Sequence, residues 1–378
     1  MKPFVMVTGD FSLTGGMDRA NFALADYLAR QGGVVHLVAH SAEQSLTVQP
    51  NVRFHRVAKP LDSYMLGAPL LARRGHKVGK QVTAEAGRVL TNGGNCCYPD
   101  VNWVHYVQAA YRSEHPASVA RRMKQRIEYP LQLREEKRAL HQARLVICNS
   151  RTTQQSVIER TGVLPERTAV VYYGSDATRF HPADDSARLA ARERLGWPSN
   201  RPVAIFIGAL GDRRKGFDTL FSAWSQHCKR TKDAFLVVVG RGAELAKWQS
   251  RAAEAGRTDG IAFLGFRSDV PDLLRAADLL IAPTRYEAYG LGVHEALCCD
   301  LPAITSATAG VAEQYTGACI DWLLPDPEDT RDLAVRIDQL IEKPQHAADD
   351  RRQLGQRLRD WTWDRMSESI LSAIDCGK

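Results

Sequence analysis

The sequence contains no apolar segment that approaches the length of a membrane-spanning helix, which needs about 20 residues. The apolar run near the start of the chain, Phe4–Val7, is also too short for the core of a signal peptide. These absences predict a cytoplasmic protein. The chain also lacks a Gly-x-Gly-x-x-Gly fingerprint, so dinucleotide binding gains little support.

The eight cysteines do not form the pattern of a zinc site, because none of them belongs to a Cys-x2-Cys arrangement. Two adjacent pairs, Cys96–Cys97 and Cys298–Cys299, have poor geometry for an ordinary disulfide bond. A free cysteine packs as a small hydrophobic residue. We therefore expect reduced thiols that are mostly buried.

The length and composition are those of a soluble globular protein with two domains. The chain has 378 residues, of which 44% are hydrophobic and 25% are charged, and this length is too great for one ordinary core. Short apolar runs alternate with amphipathic segments in both halves, which is typical of parallel sheets covered by helices. The predicted strands are Phe4–Val7, Val34–Val38, Val52–Val57, Leu145–Cys148, Val203–Ile207, Ala234–Val239, Ile261–Leu264, Leu279–Ala282 and Ala303–Thr305. The predicted helices include Arg19–Arg30, Phe217–Lys229 and Val270–Ala276, whereas Leu61–Lys80 is predicted to be either irregular or a mobile basic helix.

The positive charge of the chain is concentrated in its first half. The net charge is +7, and residues 1–180 carry 24 Lys and Arg against 14 Asp and Glu, whereas the rest carries 26 against 29. This asymmetry predicts contact with an anionic acceptor or an anionic surface, and a solvated basic helix face is the open alternative. The cations are bunched in two groups, Arg73, Arg74, Lys77 and Lys80, and Arg121, Arg122, Lys124 and Arg126.

The segment Pro283–Glu295 carries the strongest functional signal. It follows an apolar strand and leads into a helical run, so that Glu287 and Glu295 lie eight residues apart across a strand–turn–helix junction. The free backbone N–H groups at the start of a helix form a natural anion site. Carboxylates on either side of the turn can accept hydrogen bonds from hydroxyls. A pocket with both properties suggests a bound sugar nucleotide.

A second strand–turn–helix junction, Gly208–Gly216, contains three consecutive cations, Arg213, Arg214 and Lys215. Neighbouring cations repel one another, and the start of a helix is itself positive. A bound diphosphate removes this conflict, and a solvated basic turn is the alternative. The turn is therefore a candidate phosphate site.

Three further positions follow predicted strands. Gly15 and Gly16 open a helix after the first strand, where glycine lets the backbone approach a phosphate or sugar closely, although a turn that needs positive φ is the alternative. Phe266 follows a strand and is either near a nucleobase or part of the core. His105 ends a strand in the first half, where a lone histidine is more often structural.

In their order along the chain, these motifs resemble the retaining glycosyltransferases of family 4. Glu287 and Glu295 match the E-x7-E pattern of that family, and Gly15–Gly16 is similar to its first glycine loop. The other matches are the inter-domain hinge at Val170–Asp176 with Phe180–Pro182, the phosphate-binding turn at Ile205–Gly216, and the start of the last helix at Trp361–Arg365.

The resemblance implies the GT-B fold, in which two doubly wound, Rossmann-like α/β domains face a cleft. The first domain would comprise residues 1–180 and would bind the acceptor. The second would comprise residues 181–362 and bind the nucleotide sugar. A C-terminal helix, residues 363–378, would cross back to the first domain.

The resemblance also implies a diphosphate-binding role for Lys215. Many relatives have an arginine directly after the first glycine of the turn, and this chain has Ala209 there. Arg213 or Arg214 would supply the missing charge, and the sequence leaves open which of the two does so.

The remaining implied roles concern the sugar and the nucleoside. Glu295 would bind the ribose hydroxyls, Glu287 would lie beside the transferred sugar, and His105 would stabilise the positive charge that develops at the anomeric carbon. Two departures from the family pattern, Ala288 and His294, fall where they can change the sugar preference. The other implied donor contacts are Gly15, Gly16, Gly208, Phe266, Tyr289, Gly290, Leu291 and Gly292.

By the same resemblance, the protein is expected to move a sugar, with retention of configuration, from a UDP- or GDP-linked donor to an acceptor hydroxyl. The donor is a substrate, and no cofactor or metal is expected, since side chains and helix N-termini meet the diphosphate charge and no Asp-x-Asp triplet is present. The expected acceptor is a glycan, a glycolipid or a small molecule, in the synthesis of envelope polysaccharide, lipopolysaccharide or glycolipid. A peripheral contact with an anionic membrane is expected, and nucleic acid is not. A sugar-nucleotide epimerase of the same fold and a non-catalytic binding protein remain open alternatives.

Overall fold

The structure is a computed structural model that describes residues 2–111, 119–211, 213–230, 234–256 and 259–376, with backbone only for 119–127 and 228–230. The described residues divide into two units. One unit comprises the chain up to Gly174 together with the helix that begins at Trp363, and the other comprises Ser175–Thr362. The motif comparison places this boundary after residue 180. The structure places it at Ser175, because the backbone N–H and Oγ of Ser175 donate to the carbonyls of Trp361 and Leu358 over 2.9 and 2.8 Å.

The first unit is built on a parallel sheet, and its described residues form nine strands. Its strands are β1 Phe4–Val7, β2 Asp10–Phe11, β3 Val35–Ala39, β4 Ser41–Ala42, β5 Val52–Arg56, β6 Arg88–Thr91, β7 Val101–Val104, β8 Leu145–Cys148 and β9 Thr168–Val170. Seven of them form one sheet in the order β5-β3-β1-β6-β7-β8-β9, and β2 pairs with β4. The helices are α1 Gly16–Arg30, α2 Gln44–Thr47, α3 Tyr64–Ala84, α4 Val119–Gln142, α5 Arg151–Thr161 and, at the C-terminus, α13 Trp363–Cys376. The sheet lies in the core because β1, β7 and β8 are buried along their whole length.

Helix α3 occupies the segment that the sequence predicts to be irregular or a mobile basic helix. Glycines on its inner face let it pack closely on the sheet. A Cβ atom at Gly75 would lie 2.9 Å from the Val7 side chain, and one at Gly79 would lie 2.8 Å from the Tyr98 ring. The helix is therefore fixed against β1 by contacts that only glycine permits.

The second unit repeats the architecture with six parallel strands. They are β10 Val203–Ile207, β11 Phe235–Val239, β12 Ile261–Gly265, β13 Leu279–Ala282, β14 Ala303–Ser306 and β15 Leu323–Leu324. The sheet order is β12-β11-β10-β13-β14-β15. The helices are α6 Asp185–Leu195, α7 Phe217–Arg230, α8 Leu245–Glu254, α9 Val270–Ala276, α10 Leu291–Cys298, α11 Thr330–Glu342 and α12 Ala348–Asp360. Because all six strands are parallel, the loops that follow them meet at one edge of the sheet, where ligands bind in such folds.

The cysteines agree with the expectation from the sequence. The seven whose side chains the structure describes are free thiols, and five of them are buried. Within the described part of the chain, no helix is both long enough and apolar enough to cross a membrane.

Candidate active site

Two cations of the predicted phosphate turn meet the first glutamate of the E-x7-E pattern. The turn follows β10, and Arg213–Lys215 form a short 3-10 helix there. Lys215 Nζ donates to Glu287 Oε2 over 2.5 Å, and Arg214 Nη1 lies 3.5 Å from the same oxygen. All three side chains are mostly buried. Gly208 makes room for this arrangement, since a Cβ atom there would lie 3.3 Å from Lys215 Cγ.

The third cation of the turn, Arg213, belongs to a different set of contacts. Its Nε donates to Asp218 Oδ2 over 3.2 Å, and its Nη2 lies 3.8 Å from Glu328 Oε2. The geometry therefore separates the two arginines between which the sequence could not decide. Arg214 accompanies Lys215, whereas Arg213 joins the carboxylates beside the turn.

The loop that carries Glu287 is held by backbone hydrogen bonds from the segment after β14. The N–H of Gly310 donates to the Glu287 carbonyl over 3.1 Å, and the N–H of Val311 donates to the Tyr289 carbonyl over 2.6 Å. The loop ends at Gly290, whose φ of 108° is a conformation that favours glycine. These contacts fix the path of the chain between β13 and α10.

Helix α10 begins beside open space. Within the described residues, the backbone N–H groups of Leu291 and Gly292 have no hydrogen-bond partner, as expected for the first turn of a helix. A Cβ atom at Gly292 would meet no atom of the described residues within 4 Å. The start of α10 can therefore accept an anion from the surface.

The second glutamate and two aromatic side chains lie behind this surface. Glu295 is in α10, as predicted, and is buried. Tyr289 is also buried, and its hydroxyl lies 2.7 Å from Nδ1 of His294. His294 is fully buried, and burial lowers its pKa to about 3, so the ring is neutral. The two rings therefore lie inside the second unit and take no part in the open surface at the start of α10.

Phe266 is a surface residue, which rules out the core alternative. It follows β12, its side chain is 54% exposed, and the Arg241 guanidinium lies over its ring at 5.1 Å. Arg241 was not identified from the sequence as a candidate site residue. The signal that points to it is the pairing of β11 with β12, because their adjacent ends, Val239 and Gly265, bring the following loops together.

In the first unit, the predicted glycine loop lies beside a carboxylate that the sequence did not single out. Gly15 has a φ of 79° and precedes α1, which begins at Gly16. Asp18, in the first turn of α1, has one buried oxygen that meets no hydrogen-bond partner among the residues that the structure describes. Burial, followed by the nearby Asp10 carboxylate, raises the pKa of Asp18 to about 6. Both glycine alternatives remain, since the positive φ is explained by the turn itself.

His105 follows β7 and is held on all sides by buried polar groups. Asn92 Nδ2 donates to the Trp103 carbonyl and to His105 Nε2, each over 3.1 Å. The remaining ring proton is therefore on Nδ1, which lies 2.5 Å from the Tyr173 hydroxyl. The His105 carbonyl accepts from Asn149 over 3.2 Å. Burial lowers the pKa of His105 to about 3, so the ring is neutral, and its role beside a reacting sugar stays a prediction.

Two protein-family models match the chain. The one described as Glycosyltransferase Family 4 matches residues 14–179, and the one described as Glycosyl transferases group 1 matches residues 187–361. Together they span nearly the whole chain and include every candidate residue named above. The chain belongs to the group 1 glycosyltransferases of family 4.

Curated relatives of this family 4 chain include a D-inositol 3-phosphate glycosyltransferase from Mycobacterium sp. (strain KMS). It is 27% identical over 363 residues, which cover 89% of this chain and 79% of the relative. For two further curated relatives, a mannosylfructose-phosphate synthase from Agrobacterium fabrum and a D-inositol 3-phosphate glycosyltransferase from Salinispora tropica, the match spans only 52% of the relative's length.

Solved structures share the fold along the whole family 4 chain. Sucrose-phosphate synthase from Thermosynechococcus elongatus aligns with a TM-score of 0.78 and 21% identity, over 98% of each chain. The Anabaena protein Alr3699/HepE, solved in complex with UDP and glucose, aligns with a TM-score of 0.74 and 18% identity over 100% of each chain. At these identities the likeness shows the fold alone, and the chain has the GT-B fold.

Proposed function

We propose that this protein transfers a sugar from a nucleotide-diphospho-sugar to an acceptor hydroxyl, with retention of configuration. The observation that carries the proposal is the meeting of Lys215 and Arg214 with Glu287 beside the open start of α10. A carboxylate offers one negative charge to these two cations, whereas a diphosphate offers more. The donor diphosphate would therefore take over the cations and leave Glu287 free to accept a hydrogen bond from a sugar hydroxyl.

The proposed chemistry needs stabilisation of the departing diphosphate. Fixed charges and backbone N–H groups that are already in place stabilise developing charge without reorganisation. Lys215 and Arg214 supply the charges, and Leu291 and Gly292 supply the N–H groups. We propose that these groups suffice without a metal ion, so activity should persist in excess EDTA. Complete inhibition that a divalent ion reverses would contradict this.

We propose that the second unit, which would bind the diphosphate, also binds the nucleoside of the donor. Glu295 is proposed to bind the ribose, and the exposed ring of Phe266, stacked under Arg241, offers a platform for a nucleobase. The solved complexes of the Anabaena protein contain UDP and UDP-glucose, and one relative is described as GDP-mannose-dependent. We propose UDP or GDP as the carrier.

The acceptor is proposed to be anionic and rich in hydroxyls. The names of three similar proteins refer to inositol 3-phosphate, to mannosylfructose-phosphate and to sucrose-phosphate. The excess of cations in residues 1–180 fits such a partner. We further propose that the acceptor belongs to the synthesis of envelope glycans or glycolipids and that the protein meets it at an anionic membrane.

One face of α3 supports the membrane contact. Its outward stripe carries Leu66, Leu70, Arg73, Lys77 and Lys80 at helical spacing, and all five are exposed. The helix contains no acidic residue. Such a combination of apolar and basic side chains suits the interface of an anionic bilayer, where each cation contributes about 1 kcal/mol. The second basic group, Arg121, Arg122, Lys124 and Arg126, lies outside the described side chains.

Vesicle co-sedimentation tests this contact. Wild-type protein should bind vesicles that contain anionic lipid, bind neutral vesicles less, and lose binding as salt rises. Lys77→Glu with Lys80→Glu should abolish most of the binding. Lys137→Glu with Arg160→Glu, exposed cations on α4 and α5, is the control with the same change in net charge. Equal binding to both kinds of vesicle would reject the contact and favour a small dissolved acceptor.

The catalytic proposal is tested at Lys215. Lys215→Ala should lower kcat/KM by about 10²–10³-fold, the loss typical of one preorganised charge stabiliser. Lys247→Ala removes an exposed lysine of α8 and should leave the activity unchanged. A Lys215→Ala enzyme whose kcat/KM lies within threefold of wild type, with its fold intact, would refute the role.

Incubation with the donor alone separates a transferase from a sugar-nucleotide epimerase. An epimerase isomerises the donor, whereas a transferase hydrolyses it slowly.

A further inference from the structure

Arg285 connects the phosphate turn to the loop that carries Glu287. It lies between β13 and Glu287 in the sequence. Its backbone N–H donates to the Arg214 carbonyl over 2.8 Å, and its Nη1 donates to the Arg213 carbonyl over 2.5 Å. Two successive carbonyl groups of the turn are thus held by one residue.

The same guanidinium is fixed on its other sides. Nη1 and Nη2 donate to the two oxygens of Asp218 over 2.8 and 3.0 Å, and Nε donates to Glu328 over 2.5 Å. Asp218 lies in the first turn of α7, directly after the phosphate turn, and also accepts from Arg213. Only 11% of the Arg285 side chain is exposed. A bidentate contact of this kind fixes direction as well as distance.

Backbone packing ties the same two segments together. Gly216, which ends the phosphate turn, has a φ of 70°, and a Cβ atom there would lie 1.8 Å from the Pro283 carbonyl oxygen. The turn and the loop are therefore in direct contact at Gly216 and joined by side-chain bonds at Arg285. A shift of one segment requires a shift of the other.

We propose that Arg285 is a positioning residue that holds Lys215 and Arg214 at the spacing a diphosphate requires. The inference rests on the proposed function, and Arg285 acts through the turn without touching the donor. Two adjacent cations would otherwise move apart, because they repel each other and long side chains have many rotamers. Holding the backbone beneath them sets their separation before the donor arrives, and a misplacement of about 1 Å can cost about 10²-fold in rate.

Calorimetry with a nucleoside diphosphate and with the matching nucleoside tests the inference. The probe is UDP or GDP, whichever the wild-type protein binds more tightly. Arg285→Ala should weaken diphosphate binding by about 10- to 100-fold and leave nucleoside binding within twofold. A general loss of structure would weaken both. Arg285→Lys should fall between, because lysine keeps the charge and loses the bidentate geometry.

Coupling to Lys215 provides a second measurement. If Arg285 acts through the turn, the double variant Arg285→Ala/Lys215→Ala should bind the diphosphate no more weakly than the weaker-binding of the two single variants. If the two residues acted independently, their losses of binding free energy would add. Arg336→Ala is the matched control, since Arg336 is also largely buried and donates to both oxygens of a carboxylate, Asp332. It should leave diphosphate binding unchanged.

The outcomes separate the inference from the function on which it rests. If Lys215→Ala weakens diphosphate binding and Arg285→Ala does not, the positioning role is wrong and the function stands. If the wild-type protein binds neither UDP nor GDP, the proposed function fails first. Should Arg285→Ala fail to fold, Arg285→Lys and its coupling to Lys215→Ala decide the matter, with additive losses counting against the positioning role.

Discussion

At the scale of single residues, the most informative contact is the one between Glu287 and the two cations. Lys215 Nζ and Arg214 Nη1 approach the same carboxylate oxygen at 2.5 and 3.5 Å. The Glu287 carboxylate lowers the repulsion between the two cations, and it also competes with any other anion that approaches them. The glutamate is therefore both a stabiliser of the turn and a competitor of the proposed diphosphate.

Substitution of the two glutamates should have opposite effects on nucleotide binding. Glu287→Gln removes the competing charge and should tighten binding of UDP or GDP by about two- to fivefold, the size of effect measured for single ion pairs, while it slows turnover. Glu295→Gln should weaken binding of the same nucleotide, because its proposed partner is the ribose. Calorimetry and initial rates measure the two effects. Equal losses of nucleotide affinity in both variants would contradict this division of labour.

At the scale of elements, the strands were predicted well because they are short, apolar and bounded by turns. Every predicted strand is present, with ends that differ by no more than one residue. Strands β6 and β9 were not predicted, since Arg88–Thr91 and Thr168–Val170 contain polar residues that interrupt the apolar run. The pattern therefore missed the central strand of the first sheet, β6, as well as its edge strand β9.

Helix α3 shows why the local pattern could not decide between an irregular segment and a helix. The segment contains three glycines and Pro69, all of which lower helix propensity. The glycines instead serve the contact with the sheet, which only the folded structure reveals.

The same limit applies to the candidate site. The motifs located Lys215 and Glu287, but the choice of Arg214 over Arg213 and the role of Arg285 depend on how two distant loops meet.

The packing of α3 leads to a prediction about Gly75. Gly75→Ala gains about 1 kcal/mol of helix propensity, but its Cβ would lie 2.9 Å from Val7 and 3.1 Å from Cys96 Sγ. Overpacking in a core typically costs about 1–3 kcal/mol, so the net effect should be a loss of stability. Urea unfolding measures it, and Lys80→Ala on the outward face should change stability by less than about 0.5 kcal/mol. Equal or greater stability for Gly75→Ala would show that the helix can move away from β1.

At the scale of the whole molecule, each unit contains a neutral, deeply buried histidine. Burial lowers the pKa of His105 in the first unit and of His294 in the second to about 3 in each case. In the unfolded chain the pKa is near 6.5. Below pH 6.5 the unfolded state therefore binds more protons than the folded state, and the free energy of unfolding decreases as the pH falls towards 3.

The predicted loss between pH 7 and pH 5 is about 2 kcal/mol for each histidine, because the unfolded chain takes up a proton near pH 6.5 whereas the folded protein, with a pKa of about 3, stays neutral over this range. His294→Val combined with Tyr289→Phe removes one of these groups together with its hydroxyl partner, and it should flatten the pH dependence of unfolding in urea by that amount. His346→Gln, at a partly exposed position, is the control. If the double variant loses as much stability as wild type between pH 7 and pH 5, His294 accepts a proton in the folded protein, and the acid sensitivity of the second unit has another origin.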